Sequence, residues 1–178
     1  EPGHSFADMV RWLWEMERVP WPDWVQDVPQ PPPPERVYGT GLRVTYINHA
    51  TVLIQTEGIN ILTDPIWSTR AGPAPFLGSK RVRAPGVAFE DLPSIDYVLI
   101  SHDHYDHLDY TSIRALAQRD VPFVTSLGVG AHLEAWGVPA QRISELDWRE
   151  SYQLPKADLT VTAAPSQHFS GRGLRNRN

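Results

Sequence analysis

The sequence predicts an α/β fold, with strands and helices alternating along the chain. Three observations carry this reading. The apolar run 95–100 (Ile-Asp-Tyr-Val-Leu-Ile) reads as a buried strand, and Tyr110 to Gln118 behind it reads as a helix. The same order repeats at Val121 to Thr125, a strand, and Gly130 to Trp136, a short helix. Upstream, three short strand-like runs follow one another closely. Such alternation indicates layered α/β architecture. Sheets of this kind place their sites at the carboxyl ends of strands. The loop after Ile100 therefore stands out, because it reads Ser101-His102-Asp103-His104-Tyr105-Asp106-His107-Leu108-Asp109.

Length and composition bound the alternatives. A chain of 178 residues can bury one real core. The net charge of −5 argues against a nucleic-acid partner, since phosphate-backbone binders are usually basic. Cysteine is absent, which excludes disulfides, thiolate metal sites and cysteine nucleophiles. No apolar run approaches the roughly 20 residues of a membrane span. No signal peptide is visible, and a cytoplasmic or membrane-peripheral location is expected.

Taken in order, residues 1–35 form an N-terminal helix and a proline-rich arm, and residues 36–178 form the main domain. Ser5 to Arg18 sets Phe6, Met9, Val10, Leu13 and Trp14 at helical spacing, with Ser5 and Asp8 placed as a capping box. Pro20 and Pro22 stop the helix. Trp12, Trp14, Trp21 and Trp24 concentrate here, which opens a reading as a peripheral membrane contact. The polar face carries mixed charge (Arg11, Glu15, Glu17, Arg18), which favours packing on the domain instead. Residues 29–34 (Pro-Gln-Pro-Pro-Pro-Pro) should be extended, either as a ligand for a proline-binding module or as a stiff arm along the domain.

Leu42 to Ile47 alternates as a strand. Thr51 to Thr56 and Ile59 to Thr63 are two more, joined by a tight hairpin at Glu57-Gly58. Residues 68–94 read as a long loop, and Arg70, Lys80, Arg81 and Arg83 form a basic patch there. The patch, Arg81 included, can hold a substrate phosphate or can be a solvated surface run. Gly128-Val129-Gly130 lacks the third glycine of a dinucleotide loop, position 133 being leucine. Arg142 to Ser144 reads as a short strand and Glu145-Leu146-Asp147-Trp148 as a turn. Ser151 to Leu154 and Leu159 to Ala163 form a hairpin.

The histidine loop has the chemistry of a metal centre. Neutral imidazole suits zinc, and carboxylate oxygen suits harder divalent ions. In an extended loop, positions two apart point the same way, so His102 and His104 can reach one ion. Asp106 and His107 sit at the helix entrance and can turn to a second. Two ions about 3.5–4 Å apart can share a hydroxide and clamp a hydrolytic transition state. His168, just past the last strand, is the natural third imidazole of the first site. His49, on a loop between strands, could be an ordinary loop histidine or one that supports the site or its substrate. Asp64 could hydrogen-bond a ligating histidine or cap a turn.

The His-x-His-x-Asp-His pattern resembles the metallo-β-lactamase fold superfamily. Asn48-His49-Ala50-Thr51-Val52-Leu53-Ile54, Leu62-Thr63-Asp64-Pro65-Ile66-Trp67, Glu145-Leu146-Asp147-Trp148 and Pro165-Ser166-Gln167-His168-Phe169-Ser170-Gly171-Arg172 resemble its N-acyl-phosphatidylethanolamine-hydrolysing phospholipase D branch. The resemblance covers about residues 36–178. It implies an αββα sandwich and metal ligation by His102, His104, Asp106, His107 and His168. Zinc is the expected metal, two ions per complete site, with manganese or iron as alternatives.

The resemblance also implies two further ligands, a bridging aspartate and a last histidine, which residues 169–178 do not contain. The fold is therefore expected to be incomplete at its C-terminus, exposing apolar sheet face, with a second chain or further segment completing it. The expected activity is metal-dependent hydrolysis, by resemblance of a phosphodiester in an N-acyl phospholipid. Asp106 and His107 are the catalytic candidates. Lactone opening, cleavage of other phosphoesters, or a non-catalytic metal-binding role are the alternatives. No Gly-x-Ser-x-Gly elbow is present to support a serine hydrolase.

Overall fold

The computed structural model describes residues 6–17, 20–28, 30–170 and 172. The first element, α1 (Phe6–Glu15), forms where the apolar periodicity predicts it. The proposed capping box lies outside the described residues, because Ser5 does. Of the face expected to pack on the domain, the side chains of Phe6 and Met9 lie outside the described residues. Val10, Leu13 and Trp14 are exposed, Trp14 to 90%. The chain is fastened by the arm that follows. Val25 donates its amide to Val82 O at 2.6 Å, and Asp27 pairs with Arg83. Further on, Pro33 is buried, and the carbonyls of Pro34 and Glu35 accept from Gln55 Nε2 (2.8 Å) and Asn60 Nδ2 (2.9 Å). Proline-rich backbone has carbonyls but few amides, so side-chain amides supply the donors.

Strands β1 (Leu42–Asn48), β2 (Thr51–Thr56) and β3 (Ile59–Thr63) form an antiparallel meander. Its second turn is the expected tight hairpin, with Glu57 at φ 48° and Gly58 at φ 76°. Two positive φ values match the twist that a two-residue hairpin needs. The 68–94 stretch is loop apart from a small ladder, β4 (Arg70–Ala71) with β5 (Ser79–Lys80), and a 3₁₀ turn at Phe89–Asp91. Then come β6 (Tyr97–Ile100), α2 (Tyr110–Ala117), β7 (Phe123–Ser126), α3 (Gly130–Ala135) and β8 (Ile143–Leu146). Where the sequence predicts a turn at Glu145, the strand continues. Glu145 and Leu146 belong to the strand, and the Glu145 carboxylate accepts from Gly130 N at 2.7 Å, which ties α3 to β8.

One sheet runs β1-β2-β3-β6-β7-β8, parallel from β3 onward. Parallel strands need crossovers, and α2 and α3 supply two of them on one face. Leu53, Leu62, Val98 and Phe123 pack there against Ile113, Leu116 and Leu133. The opposite face carries Ile59, Ile61 and Tyr97. The hairpin of β9 (Ser151–Leu154) and β10 (Leu159–Thr162) covers them with Leu154, Tyr152 and Val161. That cover stops short of β1, where Leu42, Val44 and Tyr46 remain exposed at 58–67%. The architecture is a mixed α/β sheet with helices on one face and the beginning of a second sheet on the other. Among the described residues, no helix is long and apolar enough to cross a membrane.

Candidate metal centre

The site lies at the carboxyl ends of β3, β6 and β7, and each flank is fixed by local chemistry. Ile100 is buried at the end of β6, and Leu108 is fully buried after the loop. Both ends of the polar stretch are thus anchored in the core. Within it, the His107 and Leu108 amides donate to His104 O at 3.0 and 2.8 Å, closing a turn. Asp109 then caps α2, accepting from Ser112 N (3.1 Å) and Ser112 Oγ (2.6 Å), and it also takes the Ser68 hydroxyl at 2.7 Å.

The loop holds its imidazoles on one side. The ring centroids of His102, His104 and His168 stand 4.5–4.7 Å from one another. His168 Nε2 is 3.3 Å from His104 Nδ1. The segment bearing His168 is pinned to the loop. Ser170 donates to the Asp103 carboxylate, and the Arg172 guanidinium donates to Asp103 O and Leu108 O while lying over the Tyr105 and Trp136 rings.

A second set adjoins the first, with the His102 and His107 rings 4.1 Å apart between centroids. Asp106 Oδ2 lies 3.9 Å from His107 Nε2. Behind them, Asp64 Oδ2 is 2.8 Å from His107 Nδ1. The same Asp64 carboxylate accepts from Ser101 N and Ser101 Oγ, both at 2.7 Å. His49 approaches from the β1–β2 turn, its Nε2 2.9 Å from Asp106 Oδ2. Arg81 reaches the edge of the site but spends donors on its own loop, at Ser68 O (2.9 Å) and Ile66 O (3.2 Å).

The protonation pattern follows from burial and neighbours. Desolvation, reinforced by repulsion from His107, His104 and His168, lowers His102 to about 4, so it is neutral near pH 7. The hydrogen bond to Asp64 raises His107, although burial opposes it. Burial works against the Asp106 carboxylate, but its own backbone amide and the nearby His107, His49 and His104 hold it below the usual range. Burial also lowers Arg81.

These residues fit metal ions. Nε2 of His102 and of His104 are buried, with no hydrogen-bond partner among the described residues. An unpartnered buried polar atom costs about 1–3 kcal/mol. Two convergent sets, His102/His104/His168 and His49/Asp106/His107, each bring their donor atoms within 4.8 Å of one another. Neutral imidazoles and a carboxylate are donors of the type that zinc, manganese and iron accept.

The model of the beta-lactamase superfamily domain matches residues 59–178. The chain belongs to the beta-lactamase superfamily. Among its relatives, an uncharacterized Mycobacterium tuberculosis protein is 48% identical over 134 residues, covering 75% of this chain and 36% of that protein. A Caenorhabditis elegans protein named N-acyl-phosphatidylethanolamine-hydrolyzing phospholipase D 1 is 38% identical over 146 residues, covering 78% of this chain and 41% of the other. The chain thus spans well under half of these superfamily relatives. Among solved structures, CmlA, a diiron beta-hydroxylase from Streptomyces venezuelae, superposes with a TM-score of 0.54 at 25% identity, over 71% of this chain and 24% of that one. The superfamily fold is therefore present in part, as the six-stranded sheet with its helices and the first hairpin of the second layer.

Sequence reasoning brought His102, His104, Asp106, His107 and His168 to one place, and the structure gathers all five. It gave no role to Asp103, Asn48 or Asp109. A signal existed for Asp109, since Asp followed three residues later by Ser precedes the helical run. Asn48 locks the β1–β2 turn by donating to Ile66 O at 3.0 Å, a contact with no local mark in the sequence.

Proposed function

We propose that this chain carries the metal-binding part of a metal-dependent hydrolase acting on a phosphodiester of the N-acyl phospholipid type. The observation that carries the reading is the meeting of two donor sets across the 4.1 Å separation of the His102 and His107 rings. Two-ion sites of that kind suit in-line displacement at phosphorus. Zinc suits the nitrogen-rich first set best, and manganese or iron suit the carboxylate-bearing second set. Bound ions supply Lewis acidity and a water acidified to a pKa of about 7.

The chain's own residues do the rest. His102 stays neutral and free to donate its lone pair. Asp64 fixes the ring of His107 and leaves its Nε2 facing the site. Beside the donors runs an open groove of about 650 Å³, lined by Trp21, Tyr46, Phe169, Lys80 and Arg81 together with His49, His104 and Asp106. Cationic and apolar walls side by side suit an anionic headgroup attached to an apolar tail. The likeness to the C. elegans protein supports this substrate class.

A broader reading, hydrolysis of a lactone or another phosphoester, is supported by an Anaeromyxobacter relative named a metal-dependent hydrolase, 31% identical over 130 residues. The test is release of N-acylethanolamine from N-acyl-phosphatidylethanolamine vesicles by the intact metal-loaded protein, run beside a lactone and a simple aryl phosphodiester. Lipid cleavage lost on replacing His102 is the expected result. Turnover of the lactone alone selects the broader reading. Metal-loaded protein inert toward all three sinks both.

A further inference from the structure

We propose that His49 is a direct ligand of the second metal ion, supplied by the β1–β2 turn and joining Asp106 and His107 in a three-donor set. The inference rests on the reading of the two donor sets as metal sites, and adds to it a ligand from outside the histidine loop.

Three observations converge on it. First, His107 commits Nδ1 to Asp64, so only Nε2 is available to an ion, and His49 Nε2 stands 3.3 Å from that atom. Two ligands on a tetrahedral ion at bond lengths of about 2.0–2.1 Å stand about 3.3–3.4 Å apart. Second, His49 Nε2 is also 2.9 Å from Asp106 Oδ2, so one nitrogen faces two donors at once. A neutral imidazole nitrogen can satisfy one of these as a hydrogen bond; a cation shared by all three satisfies every lone pair. Third, His49 occupies a left-handed conformation, φ 40°, which is uncommon for any residue other than glycine. The turn is held there by Asn48, whose side chain is bonded to Ile66 O, and by the register shift between Tyr46 and Asn48. The shift and the left-handed residue together bring the ring to Asp106.

A merely supporting histidine would bond Asp106 and leave the ion untouched. Cadmium NMR separates the two roles, because scalar coupling to a ring nitrogen requires a bond to the metal. The experiment loads the nitrogen-labelled chain with cadmium and reads each histidine. Coupling to His49 Nε2 alongside His102, His104, His107 and His168 is the expected result. Coupling to the other four without His49 overturns the inference and leaves the hydrolase reading standing. Absence of any coupling overturns both. As a second readout, His49→Asn suits the left-handed turn and should fold; cobalt titration of it should show the first equivalent unchanged and the second weakened at least 10-fold. Two unchanged equivalents overturn the assignment.

Discussion

Asp64 Oδ2 sits 2.8 Å from His107 Nδ1, although 43 positions separate them in the chain. The contact exists because β3 and β6 run parallel and adjacent, so both strands deliver their carboxyl ends to the same spot. Asp64 takes a left-handed turn there, φ 37°, with its amide bonded to Leu99 O at 2.8 Å. Replacing it tests what the contact does. Asp64→Asn should weaken metal binding at the Asp106/His107 set by about 10–100-fold, the usual effect of losing a ligand's hydrogen-bond partner. Competition with a chromogenic chelator measures it. An affinity equal to wild type would remove Asp64 from the site.

Replacing both His102 and His104 with alanine should abolish binding at the first set. Both side chains are partly exposed, so the fold should survive, which circular dichroism can verify. Elemental analysis of the purified protein gives the metal content. Unchanged content in the double variant would overturn the central assignment.

Asp96 offers a pH prediction far from the metal donors. Its carboxylate takes Lys156 Nζ at 2.9 Å, the Asn60 amide at 2.9 Å and the Arg36 guanidinium. Burial opposes the charged form, yet these partners together hold its pKa below the ordinary carboxylate value. A folded pKa below the unfolded one means that the unfolded chain binds the proton first as pH falls. The stabilisation is therefore complete above about pH 4–5 and lost as pH falls through the folded value. Urea midpoints measured from pH 7 down to pH 3 should fall for wild type and fall less steeply for Asp96→Asn, which starts lower by roughly 1–3 kcal/mol. Parallel curves would contradict the assignment.

Gly78 closes the small ladder beside the groove. It has φ +92°, and a Cβ placed there would lie 1.9 Å from Ala71 O. Gly78→Ala must therefore break the β4–β5 pairing that presents Lys80. The expected effect is a KM raised several-fold with metal content unchanged. An unaltered KM would remove this loop from the substrate groove.

The legible parts of the chain were those written locally. The run 95–100 followed by clustered histidines and an apolar helix fixed β6, the loop and α2, since pattern and chemistry changed together. Glu57-Gly58 marked its hairpin by turn chemistry alone. What escaped depends on neighbours in space. Glu145 reads as polar turn material until Gly130 N stands opposite it. The exposure of α1 could not be read from Val10 and Leu13, because periodicity says which residues share a face and nothing about what meets that face. The Asp64–His107 contact needs the strand order, and the approach of His49 needs the bulge in β1.

The donors of the metal centre reach it from separate stretches of the chain: the β1–β2 turn, the β6–α2 loop and the segment beyond β10. His104 and His168 alone are 64 positions apart. An ion held by both acts as a reversible cross-link, closing long loops whose freedom the unfolded chain would otherwise regain. Thermal midpoints should then climb with free metal concentration, by mass action on the folded form. A chelator should then lower that midpoint toward the value of the metal-free fold, so that scarcity of metal costs the molecule stability before it costs it structure.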